Sequence, residues 1–519
     1  MPIPAIPARH HAPRGRPTRL PNRALFLATV TFATTVLPGR ASAQLLPAAP
    51  ADRCTALAPD SASAVQWLDR AAGAVLPPTA DGRVLRARVT HDVPLWEQSD
   101  RMYPPFVPNT VVRQLWYDPV SGITGRQPVE RAVPPGSRPA ELFSPTTSYV
   151  TRDTMVIAMA PPPGYASPMA PFNPWSVLAH WRERAAEVRV VARCIHREYP
   201  RIVLELGGER LHLSASDATP VKLERENPHY LWGQVRAEYL WNTWWGVNGG
   251  GRYPLSSALT YDGELYHRVG TAMGSAALVT RDSTPDLSRP AATMAPPAAR
   301  DFSTPDTIRV SANTWLLRTP AYTHAVTLQR DTIFLLDATT SEARSRGDSA
   351  WIARLFPGRY PIVLIVTDLA WPHISGVRFW VARGATIVSH GMSEGFLRRV
   401  VDRRWTLAPD ALEVLRASGA RPRWSFRAVG DSLRLAGGAI TVHAMRGTST
   451  EGAVGAWIGP DRFFWAGDYV QGTETSPYQR DVVRTIKALG LTPHKVGAQH
   501  VPLSDWSVLS ADPVRSGRP

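Results

Sequence analysis

Residues 361–366, PIVLIV, form an apolar run rich in β-branched side chains that reads as a strand buried on both faces. Such a strand needs an apolar layer on either side, so the chain around it must supply both a sheet and covering elements. The neighbouring segments read accordingly. TIRVSANTWLLRT and AVTLQRDTIFLLDA are paired strands, SEARSRGDSAWIARLF a helix, VRFWVARG a short helix and ATIVSH a strand. EGFLRRVVDRR reads as a helix, and LRLAGGAITVHAM, AVGAWIG and DRFFWAG as strands. SPYQRDVVRTIKALG is a closing helix with Gly490 at its C′ position. Two β-rich halves with helices between them predict a layered α/β sandwich over residues 307–510.

At 519 residues the chain is too long for one ordinary core, and two domains are expected. The boundary falls at 284–306, a Pro-, Ala-, Ser- and Thr-rich stretch without apolar periodicity that reads as a linker. Before it, residues 55–283 read as mostly β: RVLRARVTHDV, TVVRQLWYD, EVRVVARCIH and RIVLELGGERLHLSAS alternate with period two between Gly, Pro and Asp breaks. One helix is expected there, NPWSVLAHWRERAAEV, with Trp175, Val177, Leu178 and Trp181 near helical spacing. Gly249–Gly251 lacks the Lys-Ser/Thr of a phosphate loop and reads as a hairpin turn. The order WYDP, helix, LELGGERLHLSASDATPVKLERE and VRAEYLWNTWWGVNGGGRYPLSSALTYDGELYHRVG resembles, in layout, the half-barrel domains of lipoprotein carriers. That resemblance implies a curved antiparallel sheet cupping a lipid-like or other apolar ligand.

Residues 1–43 read as a secretion signal: a basic, Pro-rich start, the apolar stretch ALFLATVTFATTVL, and the small-residue site Ala41-Ser42-Ala43 before Gln44. The stretch is short for a bilayer span, no Cys follows it for lipid anchoring, and no later segment reads as a membrane helix. The mature chain is therefore expected to lack a transmembrane segment and to be periplasmic or secreted. The formal charge of +15 comes from scattered Arg and from the leader; no basic stripe with interleaved aromatics supports nucleic-acid binding. Two cysteines, Cys54 and Cys194, are too few for a thiolate metal site, and whether they pair is left open.

Four landmarks of 307–510 stand in a fixed order: FLLDATTS (Phe334–Ser341), VTDLAWPHISG (Val366–Gly376), FFWAGDYV (Phe463–Val470) and GAQHVPLSDW (Gly497–Trp506). Together they resemble the metallo-β-lactamase superfamily, which implies an α+β fold, a four-layer αββα sandwich with a metal site at one edge. In that family the turn reads Thr-His-x-His-x-Asp-His-x-x-Gly. Carried over by position, the first His is Asp368, the second Ala370, the Asp is Pro372, and the last His is kept as His373. The third histidine of the first metal falls at Ser449, the bridging carboxylate is kept as Asp468, and the last His as His500. The resemblance thus implies a reduced site, with His373, Asp468 and His500 as ligands of one zinc or other divalent transition metal. Asp368 is the candidate catalytic residue, as a further oxygen ligand or as the general base for a water.

Other histidines have structural readings. His390 ends a strand, His324 precedes one, and His443 in ITVHAM is read as facing outward. Glu394 and Glu451 read as solvated, and no His-Glu-x-x-His or Cys-x-x-Cys occurs. Three functions compete. One is a secreted one-metal hydrolase of ester, amide or lactone bonds in a small-molecule substrate. Another is an inactive scaffold, a pseudoenzyme, whose half-barrel binds an apolar ligand. The third is an envelope interaction protein without a small-molecule site.

Overall fold

The computed structural model describes residues 52–77, 82–94, 108–118, 124–132, 148–150, 155–156, 173–284, 305–319, 322–472, 476–501 and 503–511. The leader read at 1–43 and all but the ends of the linker read at 284–306 lie outside the described residues. The architecture is mixed α/β with mostly antiparallel sheets, three among the described residues.

The first sheet takes strands from Arg53–Asp60 through Ala277–Val279, every pair antiparallel. Alternation decides which face is apolar: in Gly233–Gly246, Val235, Ala237, Tyr239 and Trp241 are buried while Arg236 is exposed. That face is covered by two helices, Ser61–Val75 and Pro174–Glu183, whose Leu68, Trp175, Leu178 and Trp181 join the same apolar cluster. Asp60 and Asn173 cap these helices by accepting from Ser63 N and Trp175 N. The helix Ser61–Val75 corrects the expectation of a single helix in this half. Its buried stripe is Ala64, Leu68, Ala71, Ala72 and Val75, at helical spacing.

Gly249–Gly251 do form the turn of a hairpin, between Gly233–Gly246 and Arg252–Tyr261. All three glycines have positive φ, and a Cβ on Gly251 would stand 2.8 Å from Val75 O. Cys54 and Cys194 face each other across neighbouring strands and are joined as a disulfide, which suits an oxidising compartment.

The second sheet runs Asp306–Arg309, Thr314–Arg318, Thr323–Gln329, Thr332–Leu336, Ile362–Ile365, Thr386–His390 and Ser425–Val429. Its last four strands are mutually parallel, so the three connections between them are crossovers, carrying the helices Glu342–Leu355, then Val377–Ala382, then Glu394–Asp402 with Ala411–Ala417. Ile362–Ile365, from PIVLIV, is paired in parallel on both sides. The third sheet comprises Ser432–Leu435, Ile440–Ala444, Val454–Ile458, Phe463–Trp465, Lys495–Gly497 and Ser504–Asp505. Leu316, Phe334, Leu336, Ile365 and Val388 of the second sheet share one apolar cluster with Ile440, Val442, Val454, Phe463 and Trp465 of the third. The second sheet's Leu335, Leu364 and Ile387 cluster instead with Ile352, Trp380, Leu397 and Val400 of its helices. Phe464 and Val496 of the third sheet cluster with Tyr478, Val482 and Ile486 of the helix Pro477–Ala488. No helix among the described residues is long and apolar enough to cross a membrane.

Hairpin tips of the first sheet pack against the helices of the second. At one tip His229 is buried, and its Nδ1 accepts from Leu231 N and Trp232 N, so the ring is held neutral. Burial, with Arg403 nearby, pushes its pKa down to about 3 from 6.5. The unfolded chain therefore takes up a proton below about pH 6.5 that the folded chain refuses. The stabilisation due to neutral His229 is complete above that pH and is lost progressively as pH falls toward about 3. His229→Asn keeps a short acceptor and cannot titrate, so its stability in urea is expected to fall less steeply than wild type between about pH 6.5 and 4. Identical slopes for the two proteins would show that His229 does not contribute.

Candidate metal centre

The turn after Ile362–Ile365 is fastened residue by residue. Thr367 donates through its N and Oγ1 to Asp337 Oδ1, at 2.9 and 2.8 Å. Asp368 Oδ1 accepts from Ala370 N at 2.8 Å and lies 2.8 Å from His373 Nδ1. His373 then sits in the short helix Trp371–Ile374, which opens with Pro372 near its first position. The closing Gly376 is required by packing: a Cβ there would stand 2.1 Å from Ser345 Oγ and 3.0 Å from Ala338 O.

The other two candidate ligands arrive from the third sheet. Asp468 follows Phe463–Trp465 through Gly467, whose φ is +60° and whose Cβ would stand 2.4 Å from Thr367 Oγ1. His500 follows Lys495–Gly497, and its neighbour Gln499 donates its N to Gly467 O at 2.9 Å. Asp468 Oδ2 accepts from Gln471 Nε2 at 2.8 Å, and its Oδ1 lies 3.0 Å from His500 Nε2. One ligand atom each of His373, Asp468 and His500 lies within 4.8 Å of the others. His373 and Asp468 are buried, whereas the His500 side chain keeps 29% of its exposure and opens the group to solvent.

The electrostatics favour a cation here. Burial works against charge on His373, but Asp368 and then Asp468 outweigh it, and its pKa is pushed up to about 9. With Nδ1 turned to Asp368, its buried Nε2 has no hydrogen-bond partner among the described residues. The Tyr322 ring stands edge-on to His373, with centroids 5.5 Å apart, and tilted against His500 at 5.0 Å.

Asp337 holds this arrangement together, a role that its place within FLLDATTS does not reveal. Besides Thr367 it accepts from Trp465 Nε1 at 2.9 Å and Gln499 Nε2 at 3.0 Å. It thus links the three segments that carry His373, Asp468 and His500. Its φ of +68° lets the strand end turn toward them. Burial first, and then the neighbouring Asp368, push its carboxyl pKa up against the pull of these hydrogen bonds. The signal available in the sequence is an acidic residue closing an apolar strand.

Of the other residues singled out from the sequence, Asp368 touches His373, and the partners of the rest are not the three candidate ligands. Asp368 is buried, with Oδ1 engaged by His373 and Ala370 as above. Ser449 donates its backbone N to Asp481 Oδ2 at 3.1 Å, on the helix Pro477–Ala488. His324 is fully buried between Asp348 Oδ2, at 2.6 Å, and Thr339, whose N donates to its Nε2 at 2.8 Å. His390 accepts from Met392 N. His443 is buried, which corrects its outward-facing reading; it shares the strand Ile440–Ala444 with Ile440 and Val442, and burial followed by Arg446 lowers its pKa.

A second group with ligand spacing, Asp52, His212 and Glu224, lies on the first sheet. Lys222 already supplies its cation: Nζ contacts Glu224 and stands 3.1 Å from Asp52 Oδ2 and 3.4 Å from Glu238 Oε1. Arg236 lies a further 2.8 Å from Glu224.

No family model matches the chain, and no curated protein matches it. Among solved structures it is similar to TMB-1, at 16% identity over 40% of this chain and 93% of that one, with a TM-score of 0.28. It is also similar to the DIM-1 metallo-β-lactamase, at 12% identity over 40% and 93%, with a TM-score of 0.29. A metallo-β-lactamase from Hirschia baltica matches at 12% identity over 40% and 94%, with a TM-score of 0.29.

Proposed function

We propose that the chain is a secreted, metal-dependent hydrolase of the metallo-β-lactamase type, with that family's αββα layering over 307–510. It holds one zinc or similar divalent ion on His373, Asp468 and His500. One observation carries the reading: three side chains from three separate sequence landmarks have ligand atoms within 4.8 Å of one another. The residues fit such an ion. Two imidazoles and a carboxylate are a sufficient set for a catalytic zinc, and the buried His373 Nε2 has no competing hydrogen bond among the described residues. An ion held there would polarise a carbonyl oxygen and acidify a water, the chemistry of ester, amide or lactone hydrolysis.

The chain's own residues divide the remaining work. Asp368 accepts the Nδ1–H of His373, so Nε2 is the atom that would hold the ion once its own proton is displaced; Asp368 acts through His373 and is a positioning residue. Gln471 orients Asp468 from the other side. Tyr322 covers both imidazoles, and His500 marks the side open to substrate. The proposed domain division remains 55–283, linker 284–306 and 307–510, with the leader 1–43 directing export and the disulfide consistent with it. We do not propose the apolar-ligand cup, because Leu68, Trp175, Leu178 and Trp181 already occupy the apolar face of the first sheet.

Zinc-supplemented protein is expected to hydrolyse a nitrophenyl ester, a nitroanilide amide or a lactone. The activity should be removed by chelator and missing in His500→Ala. A metal-loaded protein inert toward all three bond types would contradict the hydrolase reading while leaving the metal centre standing.

A further inference from the structure

We infer that the first sheet positions the candidate metal centre, and that Trp371 is the residue through which it does so. The inference rests on the metal reading above and concerns a side chain that points away from it.

Trp371 opens the four-residue helix that carries His373. A helix of this length has no stability of its own and lies where its neighbours hold it. On one side the segment after the strand Thr332–Leu336 holds it: Thr340 N donates to Pro372 O at 2.6 Å, and Ala338 N to His373 O at 3.2 Å. On the other side the Trp371 indole is fully buried against the first sheet. Tyr266 stacks on it, with centroids 5.4 Å apart and planes 10° apart, while His229 and Trp232 meet it edge-on at 5.0 and 5.7 Å. These partners belong to two hairpin tips that are themselves pinned beside the helix Glu394–Asp402. Arg403 Nε donates to Trp232 O at 2.9 Å, and Arg399 pairs with Glu264 at 2.7 Å. The turn bearing His373 is therefore clamped between the second sheet and the first.

A metal ligand must be held within about 0.5 Å of its working position. Removing the indole takes away the clamp on one side while leaving every ligand and Asp368 in place. Trp371→Ala is expected to lower zinc affinity about 10- to 100-fold, measured by competition with a chromophoric chelator. Trp371→Phe, which restores a stacked ring, should recover most of the loss. Tyr266→Leu acts from the other half of the contact and should lower affinity in the same direction if Trp371→Ala does not fold. Glu205→Gln, on the same sheet but in an exposed pair with Arg210 away from the two hairpin tips, should leave affinity unchanged. Cobalt(II) absorption, which reports ligand geometry, should change in Trp371→Ala and not in Glu205→Gln.

Wild-type zinc affinity and cobalt spectrum retained in both Trp371→Ala and Tyr266→Leu, with native folding, would overturn the inference. A wild-type protein that binds no zinc would instead overturn the metal reading on which it rests.

Discussion

Replacing His373 with alanine is expected to lower zinc affinity by at least about 100-fold, because loss of a direct ligand costs more than loss of an outer hydrogen bond. The same change should also destabilise the metal-free protein. His373 is buried between Asp368 and Asp468, and its charged form is favoured by both. Without it two buried carboxylates lose their cation, a change that typically costs about 3–5 kcal/mol. His500→Ala separates the two effects. His500 is a candidate ligand of the same ion but is partly exposed, so its loss should weaken zinc binding comparably and cost far less stability. Chelator competition on the two variants, with urea unfolding of their metal-free forms, checks both halves. Undiminished zinc binding in both variants would mean that these histidines are not ligands.

Asp337→Ala is expected to give the largest loss of stability of any single substitution at the centre that leaves the three ligands intact. Four donor atoms converge on this buried carboxyl: Thr367 N, Thr367 Oγ1, Trp465 Nε1 and Gln499 Nε2. Each buried donor left unmade costs about 1–3 kcal/mol. Against this, the substitution relieves the penalty of burying a carboxyl whose pKa is already raised. Four donors outweigh one relieved charge, and a net loss of about 3 kcal/mol is expected in urea unfolding. Zinc affinity should fall as well, since the segments bearing all three ligands lose their common anchor. A loss below about 1 kcal/mol would show that the segments hold their places without it.

Local pattern carries much of the fold. PIVLIV reads as a buried strand because it is an unbroken apolar run, and Ile362–Ile365 is paired on both sides, with Leu364 and Ile365 fully buried. The hairpins between Asp306 and Leu336 are legible from turn residues between alternating runs, and Gly249–Gly251 from its lack of phosphate-loop partners. The helix Ser61–Val75 also has its signals, the Asp60 cap and the helical spacing of Ala64, Leu68, Ala71 and Val75, which the expectation of a single helix passed over. The helix Ala411–Ala417 and the strand Ser425–Val429 are short and leave little trace in the sequence, as brief elements depend more on packing than on pattern. His443 is misleading because a histidine between apolar neighbours suggests an outer face, whereas this one lies in a packed layer.

The candidate site divides in the same way. His373, Asp468 and His500 can be named because each stands at a fixed place in a short landmark. The work of Asp337 cannot, since its partners Trp465 and Gln499 lie 128 and 162 residues away. Asp368 is named from the sequence as an oxygen ligand or general base, and only geometry turns it toward His373. The partners of Trp371 lie in the other half of the chain, beyond any local pattern.

Metal content of the purified full chain, by elemental analysis with thermal unfolding before and after zinc addition, tests the central claim most directly. About one equivalent of a divalent transition metal per chain is expected, either as purified or after zinc addition with a rise in unfolding temperature. His373→Ala should retain none of it. A wild-type chain that carries no metal, and whose unfolding temperature does not move with zinc, manganese or iron(II), would contradict the account.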